Sequence, residues 1–437
     1  MDDGSGFLLG SCSFDDGIPS MSEFLGGCPH KKLAMASSSF QIRPAAFRWS
    51  LVSAPMASTA LQPSLRRIVE FSQGYLDSNS SSDDLTILED LKTAIKSLND
   101  DNDSYPVQFS SLLTALAVSG LDKNEKVIQT FVQEILSGWN LGRGSVDQRP
   151  SHANTSTLPI CDIVGTGGDG FNTFNVSTTV AIVAAGAGVK VCKHGNRASS
   201  SASGSADLLM ALGVPLQKLQ PSHVAKLVQD PEMNFNFLFS PTFYPIFARL
   251  SPIRKTLGFP TIFNLLGPLL NPARPDRLLI GVTKPALGPI FCRVLKLCGL
   301  SHSWVVCSEE GLDEISTAGE TSLWKLASDG SITHQRLSPQ TTFGLPSHPL
   351  SKLIGESAQD NLNMLHDLLD GRFETDRHRA ILDFVLINTS AFLVLAGKTD
   401  DFKEGVRLAK SSLLSGKAKA AIYRFRDHAQ ELARATC

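Results

Sequence analysis

The sequence predicts an α/β protein built as a small helical domain followed by a large α/β domain with a mainly parallel central sheet. Two observations carry this. Through residues 65–138, apolar side chains recur at steps of three and four, the spacing of amphipathic helices. From residue 158 onward, short apolar runs alternate with longer helical segments, and consecutive parallel strands need such crossovers. Between the two textures, residues 142–157 are polar and rich in Gly, Pro and Ser, which marks a boundary.

Taken in order, residues 1–62 show no sustained periodicity and read as a disordered extension. Within them, 35–58 is rich in Ser and Ala, holds two Arg and has no acid, as a transit peptide would. It is internal, follows Asp15, Asp16 and Glu23, and forms no clear amphipathic helix. The reading is therefore a cytoplasmic protein, with organellar targeting as the second choice. Residues 63–145 form the helical domain. Segments 108–120 and 125–136 are two of its helices, separated by the break Gly120-Leu121-Asp122. Residues 158–430 form the α/β domain, with strands expected at 160–164, 188–192, 278–282 and 303–307. The Pro-rich, aromatic stretch 233–270 interrupts that rhythm. It is expected to leave the sheet, with part of 235–270 packing on the helical domain. Residues 376–426 are again helical.

The 437 residues leave room for two domains, and 42% apolar with 19% charged residues is ordinary for a globular enzyme. A net charge of −2 offers no footprint for nucleic acid or a membrane surface. No apolar run is expected to span a bilayer; residues 176–191 read as a buried helix and strand. Eight cysteines, at spacings of neither a zinc site nor a CxxC pair, suit a reducing compartment.

Two segments carry chemistry. The first is Asp162-Ile163-Val164-Gly165-Thr166-Gly167-Gly168-Asp169-Gly170, running through Thr173 into Asn175-Val176-Ser177-Thr178. Glycines after a strand permit positive φ and close approach of backbone to a ligand. The helix that follows aims its amide groups and dipole at an anion, which fits a pyrophosphate or sugar phosphate. The plainer alternative is an ordinary turn with Asn175 or Ser177 as N-cap. The second segment runs from Lys193 to Asp207 behind the next strand. Lys193 and Arg197 supply charge. Asn196, Ser199, Ser200, Ser201 and Ser205 supply donors for several phosphate oxygens. His194, Gly195 and Ala198 complete the run. Both segments are read as loops at strand C-terminal ends, where open α/β sheets bind ligands.

Together these segments, GTGGDGFNTFNVST and KHGNRASSSASGSAD, resemble the signatures of the anthranilate phosphoribosyltransferase family. A third stretch, from Leu250 through Arg254 to Gly258 and on to Ala273, is similar to the family's APVRRELG and TIFNLLGPLTNPA. Gly311-Leu312-Asp313-Glu314 resembles its acidic-pair motif. The resemblance spans about residues 65–425 and is firmest over 158–320.

It implies two substrates, 5-phosphoribosyl 1-diphosphate and anthranilate, with Mg²⁺, and a fold resembling that of the pyrimidine nucleoside phosphorylases. It also implies a homodimer joined through the helical domains. By this resemblance the diphosphate sugar would be held by Gly165, Gly168, Asp169, Thr173 and Asn175–Thr178, together with Lys193–Ser201 and Ser205. Ser177 would hold one magnesium; Asp313 and Glu314 would hold the other. Gly165, Asn196 and Arg254 would contact anthranilate, the guanidinium gripping its carboxylate with two parallel hydrogen bonds. Two positions depart from the pattern: Tyr244 stands where the family often has His, and Phe247 also differs. Both fall near the expected anthranilate channel. The nearest rival is a nucleoside phosphorylase of the pyrimidine type, which would need a different second loop and no Asp-Glu pair.

Overall fold

The computed structural model describes residues 64–71, 84–96, 105–137, 158–198 and 201–435. The extension 1–62, the linker 142–157, and Ser199 and Ser200 lie outside the described residues. Ser58–Cys437 form one compact unit.

The helical region comprises α1 (64–71), α2 (Asp84–Lys96), α3 (Tyr105–Ser119) and α4 (Glu125–Ser137). The periodicity read over 65–138 is realised in the described parts of that stretch. Gly120 takes φ 73° at the break between α3 and α4, a left-handed turn that glycine adopts without steric cost.

Seven strands form one sheet in the order β3-β2-β1-β4-β5-β6-β7. They are β1 (Ile160–Gly165), β2 (Lys190–Gly195), β3 (Phe235–Phe239), β4 (Arg277–Gly281), β5 (Ser303–Ser308), β6 (Thr321–Leu326) and β7 (Ile332–Leu337). β1 to β5 are parallel; β6 and β7 extend one edge as an antiparallel hairpin. The helices are α5 (Val176–Gly186), α6 (Ser205–Ala211), α7 (Pro221–Gln229), α8 (Ser240–Phe243), α9 (Ile246–Leu257), α10 (Phe263–Leu266), α11 (Leu287–Leu297), α12 (Pro339–Phe343), α13 (Ala358–Leu369), α14 (Asp376–Leu395), α15 (Phe402–Leu414) and α16 (Lys417–Arg434). α5, built almost wholly of Val, Ala and Thr, packs on β1, β2 and β3 and is covered by α14, α15 and α16. α11 lies on β5 and β6 and meets α4.

Four expectations are corrected. β2 begins at Lys190 because Gly188 turns with φ 86°, and the strand runs on to Gly195. Lys193, His194 and Gly195 are thus strand residues paired with Phe237, Leu238 and Phe239, not loop residues. Their polar letters suggested a loop, but the structure buries Lys193 and His194 within the strand and meets the Lys193 ammonium inside. Residues 233–270 do not leave the sheet at once: Phe235–Phe239 is a fully buried edge strand. The rest does leave, and Phe263 packs its ring on Phe109 of α3 (5.8 Å) and Phe131 of α4 (6.0 Å). The expected helical C-terminal stretch is realised, as three helices divided by left-handed Gly397 and Gly416. Finally, α14 is long and apolar enough to cross a membrane, but 78% of its apolar window is buried within the protein, as a core helix must be.

Candidate active site

The chain lays β1, β2 and β3 toward one side, then returns to place β4 on the other side of β1. The carboxyl ends of β1 and β4 therefore flank a topological switch point, the usual ligand crevice of such sheets. The segments after β1, β2 and β5 converge there on an open cleft of about 920 Å³.

The turn after β1 holds Gly167, Gly168 and Gly170 at φ 71°, 77° and 81°, a path closed to most side chains. The Gly167 N–H donates to Asp313 Oδ2 at 2.7 Å, so that amide serves the acid and not a ligand. The loop after β5 presses on both central strands. A β-carbon on Gly165 would collide with the Asp313 carboxylate, and one on Gly281 with the Asp313 carbonyl oxygen.

Asp313 and Glu314 are only 7% and 8% exposed. Burial, then the charge of Asp169, pushes the Asp313 carboxyl up to about 7. Burial, then Asp313, raises Glu314 well above the usual range, with Lys193 opposing. Lys193 is itself lowered by burial and held up by Asp162, Glu314 and Asp313. Its ammonium donates to Ile163 O (2.7 Å) and Ser177 Oγ (3.3 Å), tying β1 to the first turn of α5. Two buried acids, Asp313 and Glu314, thus share the cleft with Lys193, and Arg197 also borders it. Among the described residues no group of three or more His, Cys, Asp or Glu side chains is assembled for a metal. The hard oxygen pair nonetheless suits magnesium, which takes one or two carboxylates and fills its shell with substrate phosphate and water.

Asn175 sits at the N-cap of α5 but makes no side-chain cap bond. Instead its Nδ2 donates to Ser203 O (2.9 Å), and its Oδ1 accepts from Ser203 Oγ (3.2 Å) and Asn361 Nδ2 (3.0 Å). It stitches the two chemical segments together. Thr178, one position past Ser177, is buried and its hydroxyl has no partner among the described residues, a donor left over for a ligand. The second segment folds back on α6: Asp207 Oδ2 accepts from the N–H groups of Ala198 (2.8 Å) and Gly204 (3.0 Å), and Ser205 Oγ donates to Asn196 O (3.2 Å). His194 is buried edge-on to the Tyr244 ring at 5.9 Å, and burial lowers it to about 4, so its imidazole is neutral.

Most residues singled out from sequence border this cleft: Gly165, Gly168, Thr173, Asn175 to Thr178, Lys193 to Ala198, Ser201, Ser205, Asp313 and Glu314. Asp169 stands just behind, beside Asp313, accepting from the Phe171 N–H at 3.1 Å. Arg254 is not brought to the cleft lining. It stands on α9, half-buried over the Phe263 ring at 5.7 Å, with Nη2 donating to Asn264 Oδ1 at 3.4 Å. Tyr244 is buried, stacks on Phe247 at 5.2 Å and donates its hydroxyl to Leu270 O at 2.7 Å. Sequence reasoning missed Gly281, whose need appears only once Asp313 lies against it. It also missed Asn271, whose amide donates to Asp162 Oδ2 and Cys192 O, both at 2.7 Å. An acidic residue, Asp162, inside an apolar strand was the one signal for a buried partner.

The fold and the cleft are those of a glycosyl transferase: the family described as "Glycosyl transferase family, a/b domain" matches residues 157–419. Full-length relatives narrow this. The anthranilate phosphoribosyltransferase of Schizosaccharomyces pombe is 42% identical over 79% of this chain and 93% of its own length. That of Saccharomyces cerevisiae is 35% identical over 82% and 95%. The solved structure of the Saccharomyces cerevisiae anthranilate phosphoribosyltransferase in complex with PRPP and Mg superposes with TM-score 0.72 at 34% identity, covering 84% of this chain and 98% of that one. The chain belongs to the anthranilate phosphoribosyltransferase family.

Proposed function

We propose that this chain transfers the 5-phosphoribosyl group of 5-phosphoribosyl 1-diphosphate to the amine of anthranilate, releasing diphosphate, in tryptophan biosynthesis. The observation that carries the reading is the meeting of two donor-rich segments and one buried acid pair in a single cleft at the switch point. Solved relatives are described in complex with PRPP and Mg and with 4-fluoroanthranilate, which supports the substrate pair.

The first turn of α5, with Ser177 and the unpartnered Thr178 hydroxyl, directs donors and the positive end of a helix dipole at the diphosphate. Asn196, Arg197, Ser201 and Ser205 grip it from the second side. Ser177, Asp313 and Glu314 would hold Mg²⁺, which when bound offsets charge on the diphosphate. As that group departs, the donor segments stabilise the charge it gathers, and the cleft keeps the amine aligned with the ribose carbon. An aryl amine is neutral at pH 7, so no base is needed to free its lone pair; the proton it sheds after attack passes to solvent or the departing diphosphate, His194, lowered by burial to about 4, being too weak a base to hold it. Arg254, with Gly165 and Asn196, would orient anthranilate through its carboxylate.

In the same reading, residues 63–145 and 158–430 act as two domains, and the chain works in the cytoplasm as a homodimer. α3 supports the dimer: it is apolar around much of its circumference and presents Val107 (71% exposed) and Val118 (74% exposed) on its outer surface. Replacing both by Glu should shift sedimentation from dimer to monomer.

The deciding experiment follows anthranilate fluorescence. It should fall only with phosphoribosyl diphosphate and Mg²⁺ both present. Loss of signal with either alone, or none with both, overturns the reading.

A further inference from the structure

Asn388 lies past the middle of α14, fully buried in the stretch of that helix that faces the core. Asn is a poor helix former, and a buried amide is tolerated only when its donors and acceptor are met. Here they are met mainly by the backbone N–H and C=O of one distant residue. The Ile315 N–H donates to Asn388 Oδ1 at 2.9 Å, and Asn388 Nδ2 donates to Ile315 O at 2.9 Å, with a second bond to Phe384 O at 3.0 Å. Ile315 is the residue directly after Asp313-Glu314. The paired bonds fix both polar groups of its backbone, and so fix the direction in which Glu314 leaves the chain.

One helical turn and a little earlier, Asp383 holds His348 (Nε2 to Oδ2, 2.7 Å), whose N–H donates to Thr317 O at 2.9 Å. The acid-bearing loop is thereby tied to α14 at a second point, just beyond the first.

We infer that Asn388 is a positioning residue: its amide, clamped on the Ile315 backbone, sets the acid pair in the geometry that receives a divalent cation. The inference rests on the reading of Asp313 and Glu314 as the metal-holding pair. Its magnitude is that of other residues that orient ligands from behind, a loss of roughly 10- to 100-fold in metal affinity when removed.

The test measures Mn²⁺ binding to the full chain with phosphoribosyl diphosphate present, by the electron paramagnetic resonance signal of free Mn²⁺. Asn388→Leu, and Asn388→Ser as a milder change, should each weaken Mn²⁺ binding by that factor while the Michaelis constant for anthranilate stays within about twofold. The comparison is Ser390→Ala, which removes a bond from the same helix to Phe402 O but touches no part of the acid loop. It should lower the melting temperature and leave Mn²⁺ affinity unchanged. The inference is overturned if the Asn388 variants bind Mn²⁺ like the parent, or if Ser390→Ala weakens binding as much as they do. Failure of the parent to bind Mn²⁺ instead removes the acid pair's role, and this inference with it.

Discussion

The Asp313 carboxylate accepts the Gly167 N–H at 2.7 Å, joining the turn after β1 to the loop after β5 across the central crevice. Residues 146 positions apart in the chain thus set each other's place, and β4 between their strands must carry Gly281 to let the acid loop through. The glycine turn is shaped for the acid loop as much as for a ligand.

That contact makes Gly165→Ala a sharp test. The new methyl would meet the Asp313 carboxylate and push it aside. A displacement on the order of 1 Å in such a site costs about 100-fold in rate. Turnover should fall by about that factor, with the Mg²⁺ concentration for half-maximal rate rising. Unchanged magnesium dependence would count against the acid's role.

The acid pair is held at a cost, since burial raises both carboxyls. Asp313→Asn combined with Glu314→Gln should therefore raise the melting temperature of the metal-free protein while abolishing most turnover. Such a trade of stability against activity is typical of functional sites. Calorimetry and the fluorescence assay read the two effects. A double variant that keeps activity at low magnesium would sink the assignment.

Arg254 stands away from the diphosphate cleft, over Phe263 at the seam with α3 and α4. Arg254→Ala should raise the Michaelis constant for anthranilate roughly tenfold or more, a lost charge-assisted pair being worth about 1.5–3 kcal/mol. The constant for the diphosphate sugar should move little. Equal increases in both would place the guanidinium elsewhere.

His194 gives a pH signature. Burial lowers it from 6.5 to about 4, so between those values the unfolded chain binds a proton that the folded one refuses. Stability from this group is complete above pH 6.5 and is lost as pH falls toward 4. The total is about 3 kcal/mol, at about 1.4 per pH unit. Subtracting the denaturation profile of His194→Gln from that of the parent isolates it, since other buried acids titrate in both. A flat difference across that window would show that His194 is not held neutral.

Much of the site was legible because its chemistry is local. The glycines and the Lys193–Ser205 run each sit in a short segment whose residue types announce anion binding, and the Asp313-Glu314 pair was picked out by its resemblance to the family's acidic motif. Reading Lys193 to Gly195 as loop failed for a physical reason. The Lys193 ammonium is met by bonds to β1 and α5, and all three residues pair with β3, and only the folded neighbours supply those contacts. β3 was hidden likewise, its aromatic run lying beside the prolines of α8 and α9.

The chain's own order of residues determined the helical and α/β textures, the two donor segments, the acid pair and the family resemblance, because periodicity, turn chemistry and charge are written within a few residues. Tertiary structure alone decided that Gly281 must stay bare, that Asn175 takes Asn361 and Ser203 in place of a cap, and that Asn388 holds Ile315. These are contacts between segments up to 186 residues apart, and nothing in local sequence specifies which distant atom will meet a buried polar group.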